Sequence, residues 1–258
     1  MSDLTEITLS EHGAVAVVTI DRPDKLNALG VAFWPQLREV LARLETDGTT
    51  RAVVLTGAGD KAFSAGGDIA GFGELDGIAA RRAFQTECLR TFAAVEESRL
   101  PVIAAVNGYA FGGGCELALA CDLVLASDRA TFAMPESAIG LVPGFGVLRA
   151  PAVIGRHWTK WMVLAGERLD AEQAERIGLV QRRVPHDELL DAALAVGERI
   201  AAAAPLAVET GKRMINRGID SGETSWSLDA ITLLQSSEDT AEGIAAFAEK
   251  RPPRFEGR

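Results

Sequence analysis

Two apolar strands that each lead into a glycine-rich turn constrain the fold of this chain most. Ala52–Thr56 has the pattern of a buried strand, and the turn Ala65-Gly66-Gly67 follows it. Pro101–Val106 has the same pattern, and Gly112-Gly113-Gly114 follows it and opens into an apolar helix. Strands that alternate with helices predict an α/β or α+β core with a partly parallel sheet. We expect both turns to meet at one edge of that sheet, where ligands usually bind.

The rest of the chain divides into a mixed part and a helical part. Residues 4–20 alternate like a hairpin turning at Glu11-His12-Gly13, and an amphipathic pattern predicts a helix over about 32–44. Another helix is predicted over 78–97, and further strands over 123–126 and 131–134. Later patterns are helical only, over 187–203, 205–217, 224–236 and 238–250. We therefore predict a core of residues 1–195 and a helical region of residues 196–258.

Charge and composition exclude several classes of partner. The formal net charge is −10 and the isoelectric point is about 4.9, which argues against binding nucleic acid or an anionic membrane. No segment has the roughly 20 apolar residues of a membrane helix. Three cysteines and a polar, acidic start, Met1–Glu6, predict a cytoplasmic protein without disulfides. A local basic cluster remains compatible with an anionic small molecule.

The second glycine turn has a direct physical interpretation. Helix N-termini present unpaired N–H groups and a partial positive charge, and glycine lets a ligand oxygen approach them. Glu116 lies in the first turn of the predicted helix. It is either a helix-dipole partner or a buried functional acid, and on this segment alone the helix-dipole interpretation is favoured.

Two further segments carry candidate chemistry. Ala65-Gly66-Gly67 is followed by Asp68, so it is either an ordinary turn with Asp68 as an N-cap or a second donor loop. Glu136 follows Pro135, and it either begins the next turn or shares acid and base roles with Glu116. The chain contains no G-x-S-x-G, no phosphate-binding loop, no dinucleotide loop and no metal-ligand spacing.

Taken together, these segments resemble the enoyl-CoA hydratase/isomerase family, also called the crotonase family. The similarity covers nearly the whole chain and is carried by segments that occur in order at spacings typical of that family. These segments are Arg22–Leu29, Ala65–Ile69, Gly112-Gly113-Gly114 with Glu116, Pro135-Glu136, Leu164–Glu167 with Ala171–Val180, and Phe247–Arg251.

The resemblance implies a fold, a site and a reaction. The fold would be an α/β spiral of strand-strand-helix units with a helical C-terminal region that forms a homotrimer or a dimer of trimers. The N–H groups of Gly67 and Gly113 would form an oxyanion hole for the thioester oxygen of an acyl-CoA. Glu116 would help to activate a water molecule that attacks Cβ, and Glu136 would handle the proton at Cα.

The resemblance also implies how the substrate is held, without a metal or a cofactor other than the coenzyme A of the substrate. The residues implied in binding coenzyme A or the acyl group are Lys25, Leu26, Ala28, Lys61, Ala65, Asp68, Ile69, Gly112 and Phe145. The basic groups near the first loop and in the tail are Arg22, Lys25, Lys61, Lys250, Arg251 and Arg254. For any single one of these charges, a solvated surface position is the preferred interpretation.

One segment departs from the family pattern. Members often have Pro-Gly-Ala-Gly-Gly-Thr-Gln-Arg after the second glutamate, whereas this chain has Pro143-Gly144-Phe145-Gly146-Val147-Leu148-Arg149, which is one residue shorter. Because this segment shapes the acyl pocket, the expected enzyme is an enoyl-CoA hydratase, with isomerisation, decarboxylation or thioester hydrolysis as related alternatives. A non-catalytic acyl-CoA-binding protein is the alternative from another class.

Overall fold

Two sheets form the centre of the protein in a computed structural model, which describes residues 4–72, 75–216, 228, 229, 232 and 235–253 of the 258 in the chain. The strands are β1 (Ile7–His12), β2 (Val15–Ile20), β3 (Ala52–Gly57), β4 (Ala62–Ser64), β5 (Val102–Val106), β6 (Tyr109–Phe111), β7 (Leu123–Ser127), β8 (Thr131–Ala133), β9 (Arg168–Asp170) and β10 (Arg182–Val184).

Helices cover both sheets and make up the end of the described chain. They are α1 (Phe33–Leu44), α2 (Ile69–Phe72), α3 (Gly77–Glu97), α4 (Gly113–Ala120), α5 (Gly146–Val153), α6 (Gly155–Leu164), α7 (Ala171–Arg176), α8 (Leu189–Ala201), α9 (Pro205–Ile215) and a terminal helix (Glu238–Glu249). Short 3-10 turns lie at Pro23–Lys25, Glu136–Ile139 and His186–Glu188. Most of the helix predicted over 224–236 lies outside the described residues.

The larger sheet has six strands in the order β1-β2-β3-β5-β7-β10. The hairpin predicted from the first twenty residues is confirmed, because β1 pairs with β2 in antiparallel register. The remaining neighbours are parallel, and β3 and β5 are buried along their full lengths, apart from Thr56. This is the mixed α/β fold, with parallel strands and a helical C-terminal part, that the sequence predicts.

The smaller sheet, in the order β4-β6-β8-β9, brings the glycine turns together. Each of β3, β5 and β7 is followed along the chain by one short strand of this sheet, which gives the repeated strand-strand unit. The turn Ala65-Gly66-Gly67 follows β4 and Gly112 follows β6, and these two strands pair in parallel. The turns therefore meet at the end of the smaller sheet, and not directly at the ends of β3 and β5 as the sequence suggested.

Two helices fix the C-terminal half onto the larger sheet. The side chains of Leu189, Ala193 and Val196 on α8 are buried against it, and the predicted boundary near residue 195 falls inside this helix. On α9 the buried Lys212 Nζ lies 2.7 Å from Asp122 Oδ2 and donates to two backbone carbonyl groups at 3.1 Å. A buried ammonium is costly unless it is paired and hydrogen-bonded in this way. Of the helices described, none is long and apolar enough to cross a bilayer.

Glycine at position 114 is a packing requirement of the fold. A Cβ at Gly114 would lie 2.4 Å from the Ser64 backbone oxygen, whereas a Cβ at Gly211 on α9 would meet nothing within 4 Å. We expect Gly114→Ala to lower the free energy of unfolding by about 1–3 kcal/mol. Gly211→Ala should raise it by up to about 1 kcal/mol, because alanine favours the helix. Urea unfolding measures both, and equal effects of the two substitutions would contradict the packing argument.

Candidate active site

A cavity of about 440 Å³ opens beside the two glycine turns. Its walls come from both turns, from α1, α3 and α4, from the 3-10 turn Glu136–Ile139 and from the start of α5. The residues predicted for the site that line it are Ala65, Gly67, Ile69, Gly112, Gly113, Glu116, Glu136 and Phe145. The structure thus brings together most of the residues predicted for the site.

The glycine turns touch each other across the floor of the cavity. Gly66 has φ of +103°, and a Cβ there would lie 2.9 Å from the Phe111 backbone oxygen and 3.6 Å from the Gly113 nitrogen. A Cβ on Gly113 would lie 3.6 Å from the Gly67 nitrogen. Positive φ and close approach both favour glycine at Gly66. The backbone nitrogens of Gly67 and Gly113 consequently lie close together.

The N–H groups of Gly67 and Gly113 have no partner within the described part of the chain. Neighbouring groups are bonded: Leu29 N donates to Gly66 O at 2.8 Å, and Asp68 N donates to Leu29 O at 3.0 Å. Gly113 is the first residue of α4, where a helix leaves its N–H groups without an internal acceptor. Both glycines line the cavity, so their N–H groups are available there to an acceptor from outside the described chain.

Glu116 is buried, and its carboxylate is held by a different helix from its own. It lies in the first turn of α4, but its Oε1 accepts hydrogen bonds from the backbone N–H groups of Phe145 at 2.7 Å and Gly146 at 2.8 Å, at the start of α5. A Cβ on Gly146 would lie 2.6 Å from Met134 Sδ, so a larger residue there would require the Met134 side chain to move. Glu116 is therefore more than a partner of its own helix dipole.

Glu136 faces the same cavity, but its carboxyl group has fewer hydrogen-bond partners than that of Glu116. It begins the 3-10 turn, as one interpretation of the sequence predicted, and its Oε2 is buried without a hydrogen-bond partner in the described residues. A Cβ on Gly112, which has φ of +50°, would lie 3.0 Å from Glu136 Oε1. An unpartnered buried carboxylate oxygen is costly unless a ligand or water bonds to it or it carries a proton.

The two carboxyl groups differ in how readily they ionise. Burial raises the pKa of Glu116 to about 7, and the two α5 N–H groups act in the opposite direction. Burial and the charge of Glu116 raise the pKa of Glu136 well above its ordinary value, with little hydrogen bonding to oppose them. The hydrogen bonds from the start of α5 favour the ionised form of Glu116, whereas Glu136 Oε2 has no such bond in the described residues to offset its burial.

Five residues predicted to bind coenzyme A lie around the first glycine turn without lining the cavity. The Asp68 carboxylate accepts from Arg22 Nη2 at 2.8 Å and from Lys25 Nζ at 3.3 Å, and chiefly the Arg22 hydrogen bond lowers its pKa. The backbone oxygens of Leu26 and Ala28 accept from Ala65 N at 2.9 Å and from Arg22 at 2.7 Å. The side chain of Lys61 is exposed, and Arg254 lies outside the described residues.

The sequence prediction missed several side chains that line the cavity. Trp34, Leu89 and Phe92 from α1 and α3 form an apolar wall together with the predicted Phe145, and Phe111, Arg168 and Phe247 also line the cavity. The helical patterns located α1 and α3, but periodicity does not tell which apolar side chains border a cavity. Cys88 also lines it, and burial raises the pKa of its thiol, which keeps the group neutral. No group of three or more His, Cys, Asp or Glu side chains in the described residues is arranged to hold a metal ion.

Comparisons with known proteins agree on one family. The family model described as enoyl-CoA hydratase/isomerase matches residues 10–258. A short-chain-enoyl-CoA hydratase of Clostridium acetobutylicum is 39% identical over 254 residues, covering 96% of this chain and 97% of that protein. A crotonyl-CoA hydratase of Syntrophomonas wolfei is 36% identical with the same coverage. The crystal structure of an enoyl-CoA hydratase from Mycobacterium avium subsp. paratuberculosis has a TM-score of 0.87 at 32% identity, with 98% of this chain and 99% of that one covered.

The raised pKa of Glu116 makes stability depend on pH. The unfolded chain loses this proton near 4.5 and the folded protein near 7, so the folded state holds more protons between these values. Stability contributed by this group is therefore lost as pH rises from about 4.5 to about 7, by about 3 kcal/mol in all.

We expect Glu116→Gln to remove this loss, with wild type and variant similar near pH 4.5 and the variant more stable at pH 7.5. Urea unfolding at intervals across this range measures it. Glu172→Gln, which removes an exposed carboxylate from α7, is the control. Parallel curves for wild type and Glu116→Gln would contradict the raised pKa.

Proposed function

The chain belongs to the enoyl-CoA hydratase/isomerase family, and on that premise we propose that it adds water across the 2,3 double bond of a trans-2-enoyl-CoA. One observation carries the proposal: two carboxyl groups with different hydrogen-bond environments face one cavity, together with two glycine N–H groups that have no partner among the described residues. Hydration needs a base, an acid and a site for negative charge, and these are the groups that could supply them.

In the proposed reaction the N–H groups of Gly67 and Gly113 bind the thioester oxygen. Attack at Cβ pushes the π electrons of the double bond toward this oxygen and gives an enolate. Donors that are fixed before the reaction stabilise that charge without reorganisation, and each is worth roughly 10²–10³ in rate. The contact between the two turns supports this role, because it holds both nitrogens on one side of the cavity.

Glu116 acts as the base in this proposal. Its carboxylate accepts a proton from the attacking water while the water oxygen forms a bond to Cβ. The hydrogen bonds from Phe145 and Gly146 support the assignment, since they favour the ionised form and leave Oε2 to meet the water. A pKa of about 7 matches a general base that works near neutral pH.

Glu136 acts as the acid and delivers its proton to Cα. Burial and the neighbouring charge raise the pKa of its carboxyl group, which favours the protonated state that a proton donor requires. One turnover leaves Glu116 protonated and Glu136 ionised, and transfer of one proton between them restores the starting state. Neither step needs a metal or a cofactor beyond the coenzyme A of the substrate.

For the acyl group we propose a short chain against the apolar wall of the cavity. Phe92 and Phe145 lie in this wall with ring centroids 5.0 Å apart, and both residues line the cavity. The relatives named for short-chain enoyl-CoA and crotonyl-CoA support the same choice. For coenzyme A we propose the rim formed by Lys25, Leu26, Ala28, Lys61 and Asp68, with the basic side chains near the phosphates.

We further propose a homotrimer, or a dimer of trimers, in the cytoplasm. The support for assembly is the set of exposed apolar side chains in the helical region, among them Leu206, Met214 and Ile215 on α9. Exposed large apolar side chains in one helical region favour protein–protein contact. The support for the cytoplasm is that Cys88, Cys115 and Cys121 are all free thiols.

Hydration is tested with crotonyl-CoA and longer enoyl-CoAs, by the loss of the conjugated thioester absorbance and by the gain of one water in the product mass. We expect turnover in the wild type and losses of about 10²–10⁴-fold in Glu116→Gln and Glu136→Gln. Glu172→Gln should keep full activity. A product that is isomerised, decarboxylated or hydrolysed would assign a related reaction, and binding without any turnover would make the protein a non-catalytic binder.

The assembly is tested by light scattering coupled to gel filtration. The 27.3 kDa chain should elute with a mass of three or six copies. Ile215→Asp should shift this distribution toward smaller species, because a charge in an apolar interface is not solvated. Leu190→Asp on α8 is the matched control, because position 190 lies before the helical region of residues 196–258. It should not change the mass. A wild-type monomer would contradict the proposal.

A further inference from the structure

Helices α3 and α5 contact each other through two side chains from each helix. In each helix the two residues are four positions apart in the sequence. Phe92 and Glu96 come from α3, and Phe145 and Arg149 come from the start of α5; we call these four residues the α3–α5 box. The Phe92 and Phe145 ring centroids lie 5.0 Å apart at an interplanar angle of 33°. The spacing places each pair on one face of its helix, so each pair meets the other as a unit.

Arg149 links the box electrostatically. Its Nε lies 2.9 Å and 3.2 Å from the two carboxylate oxygens of Glu96, and its Nη2 lies 3.1 Å from Oε2. The guanidinium carbon also lies 5.0 Å from the centroid of the Phe145 ring. A planar guanidinium can satisfy a carboxylate and an aromatic ring at once, which an ammonium group cannot.

The ion pair is buried but does not border the cavity. The Arg149 and Glu96 side chains are 10% and 14% exposed, and neither is among the residues that line the cavity wall. A buried ion pair gives little net stability, because desolvation offsets most of the attraction. A role in fixing one geometry accounts better for its place here than a role in overall stability.

The geometry that the box fixes is the start of α5. Phe145 is in contact with both Phe92 and Arg149, and its backbone N–H together with that of Gly146 holds Glu116 Oε1. Arg149 N donates in turn to Phe145 O at 3.1 Å, so the side-chain contact and the backbone turn belong to one rigid unit. A shift of Phe145 would lengthen both bonds to Glu116.

We propose that Arg149 and Glu96 are positioning residues, which hold the Phe145 and Gly146 N–H groups on the carboxylate of Glu116. The inference rests on the proposed function, because it takes Glu116 to be the base. The hydrogen bonds from Phe145 and Gly146 to Glu116 exist with or without turnover. It also gives a role to Phe145 in the short segment 143–149, because Arg149 of the buried ion pair contacts the Phe145 ring.

Other charged and titratable groups around Glu116 have to be separated from this effect. Glu136 faces it from the 3-10 turn after β8, Cys88 from α3 and Cys115 from its own helix. Arg149 and Glu96 lie behind Phe145, and burial and the two N–H bonds are what set the pKa of Glu116. Loss of Arg149 is therefore expected to act through the N–H bonds and not through its charge.

The decisive measurement is the titration of Glu116 in protein labelled with ¹³C at the glutamate carboxyl carbon, with its signal assigned from its absence in Glu116→Gln. Weaker N–H donation disfavours the carboxylate, so Arg149→Met should raise the pKa of Glu116 by about 0.5–1 pH unit. Arg149→Lys, which keeps the charge without the planar fork, should give an intermediate shift. Arg38→Met is the control. Arg38 lies on α1 and pairs with Glu87 on α3, the helix that also carries Glu96, but it does not contact α5.

Enzyme kinetics give a second readout. With crotonyl-CoA, Arg149→Met should lower kcat about 10-fold or more at pH 7 with KM within threefold, and should move the acidic limb of kcat/KM upward in pH by the same 0.5–1 unit. If the wild type hydrates no enoyl-CoA, the proposed function fails, while the titration still decides the positioning role.

The inference is overturned if folded Arg149→Met titrates at Glu116 within 0.2 unit of the wild type, or if Arg38→Met shifts as far. Should Arg149→Met not fold because Glu96 is left buried and unpaired, the double variant Glu96→Leu/Arg149→Leu removes both charges and takes its place. The same upward shift is expected there, and an unshifted titration in the double variant overturns the proposal equally.

Discussion

The contact between the two glycine turns is the constraint on which the rest of the site depends. Parallel pairing of β4 with β6 sets the turns side by side, and the lack of side chains at Gly66 and Gly113 lets the backbones approach. Two backbone nitrogens then point away from any protein acceptor in the described chain and toward one cavity. Removal of the short sheet would separate these nitrogens, even if both glycine sequences were kept.

The second organising principle is a difference between two similar groups. Glu116 and Glu136 share a cavity and the cost of burial, but only Glu116 receives hydrogen bonds from the start of another helix. These hydrogen bonds favour the ionised form of Glu116, and each carboxylate makes ionisation of the other harder. In the proposed reaction the protein obtains an acid and a base from one residue type in this way, by backbone geometry and not by a change of side chain.

The sequence predicted long elements well because their periodicity is strong. The hairpin, α1, α3 and the buried strands β3 and β5 all appear close to the predicted residues. Of the three-residue strands, β8 was predicted, whereas β4 and β6 were missed because both lie in segments that were interpreted as glycine-rich turns. As a result the meeting of the turns was predicted, but its cause was assigned to the wrong pair of strands.

The parts of the site that depend on tertiary contact were also beyond the sequence. Nothing local in Phe145 or Gly146 indicates that their N–H groups would reach Glu116, about thirty residues earlier in the chain. The ion pairs of Lys25 and Arg22 with Asp68 likewise cannot be predicted from the sequence. They mean that part of the expected coenzyme A rim also holds the structure together. A family resemblance transfers positions, whereas the partners of each side chain come only from the packed structure.

The narrow space between Gly112 and Glu136 has an evolutionary consequence. A methyl group at position 112 would press on the Glu136 carboxylate, and φ there is already positive. A larger residue at position 112 would therefore meet both a strained backbone and the Glu136 carboxylate. A shorter side chain at position 136 would remove the contact but not the backbone strain, so glycine at position 112 is favoured in either case and most strongly where the second glutamate is kept.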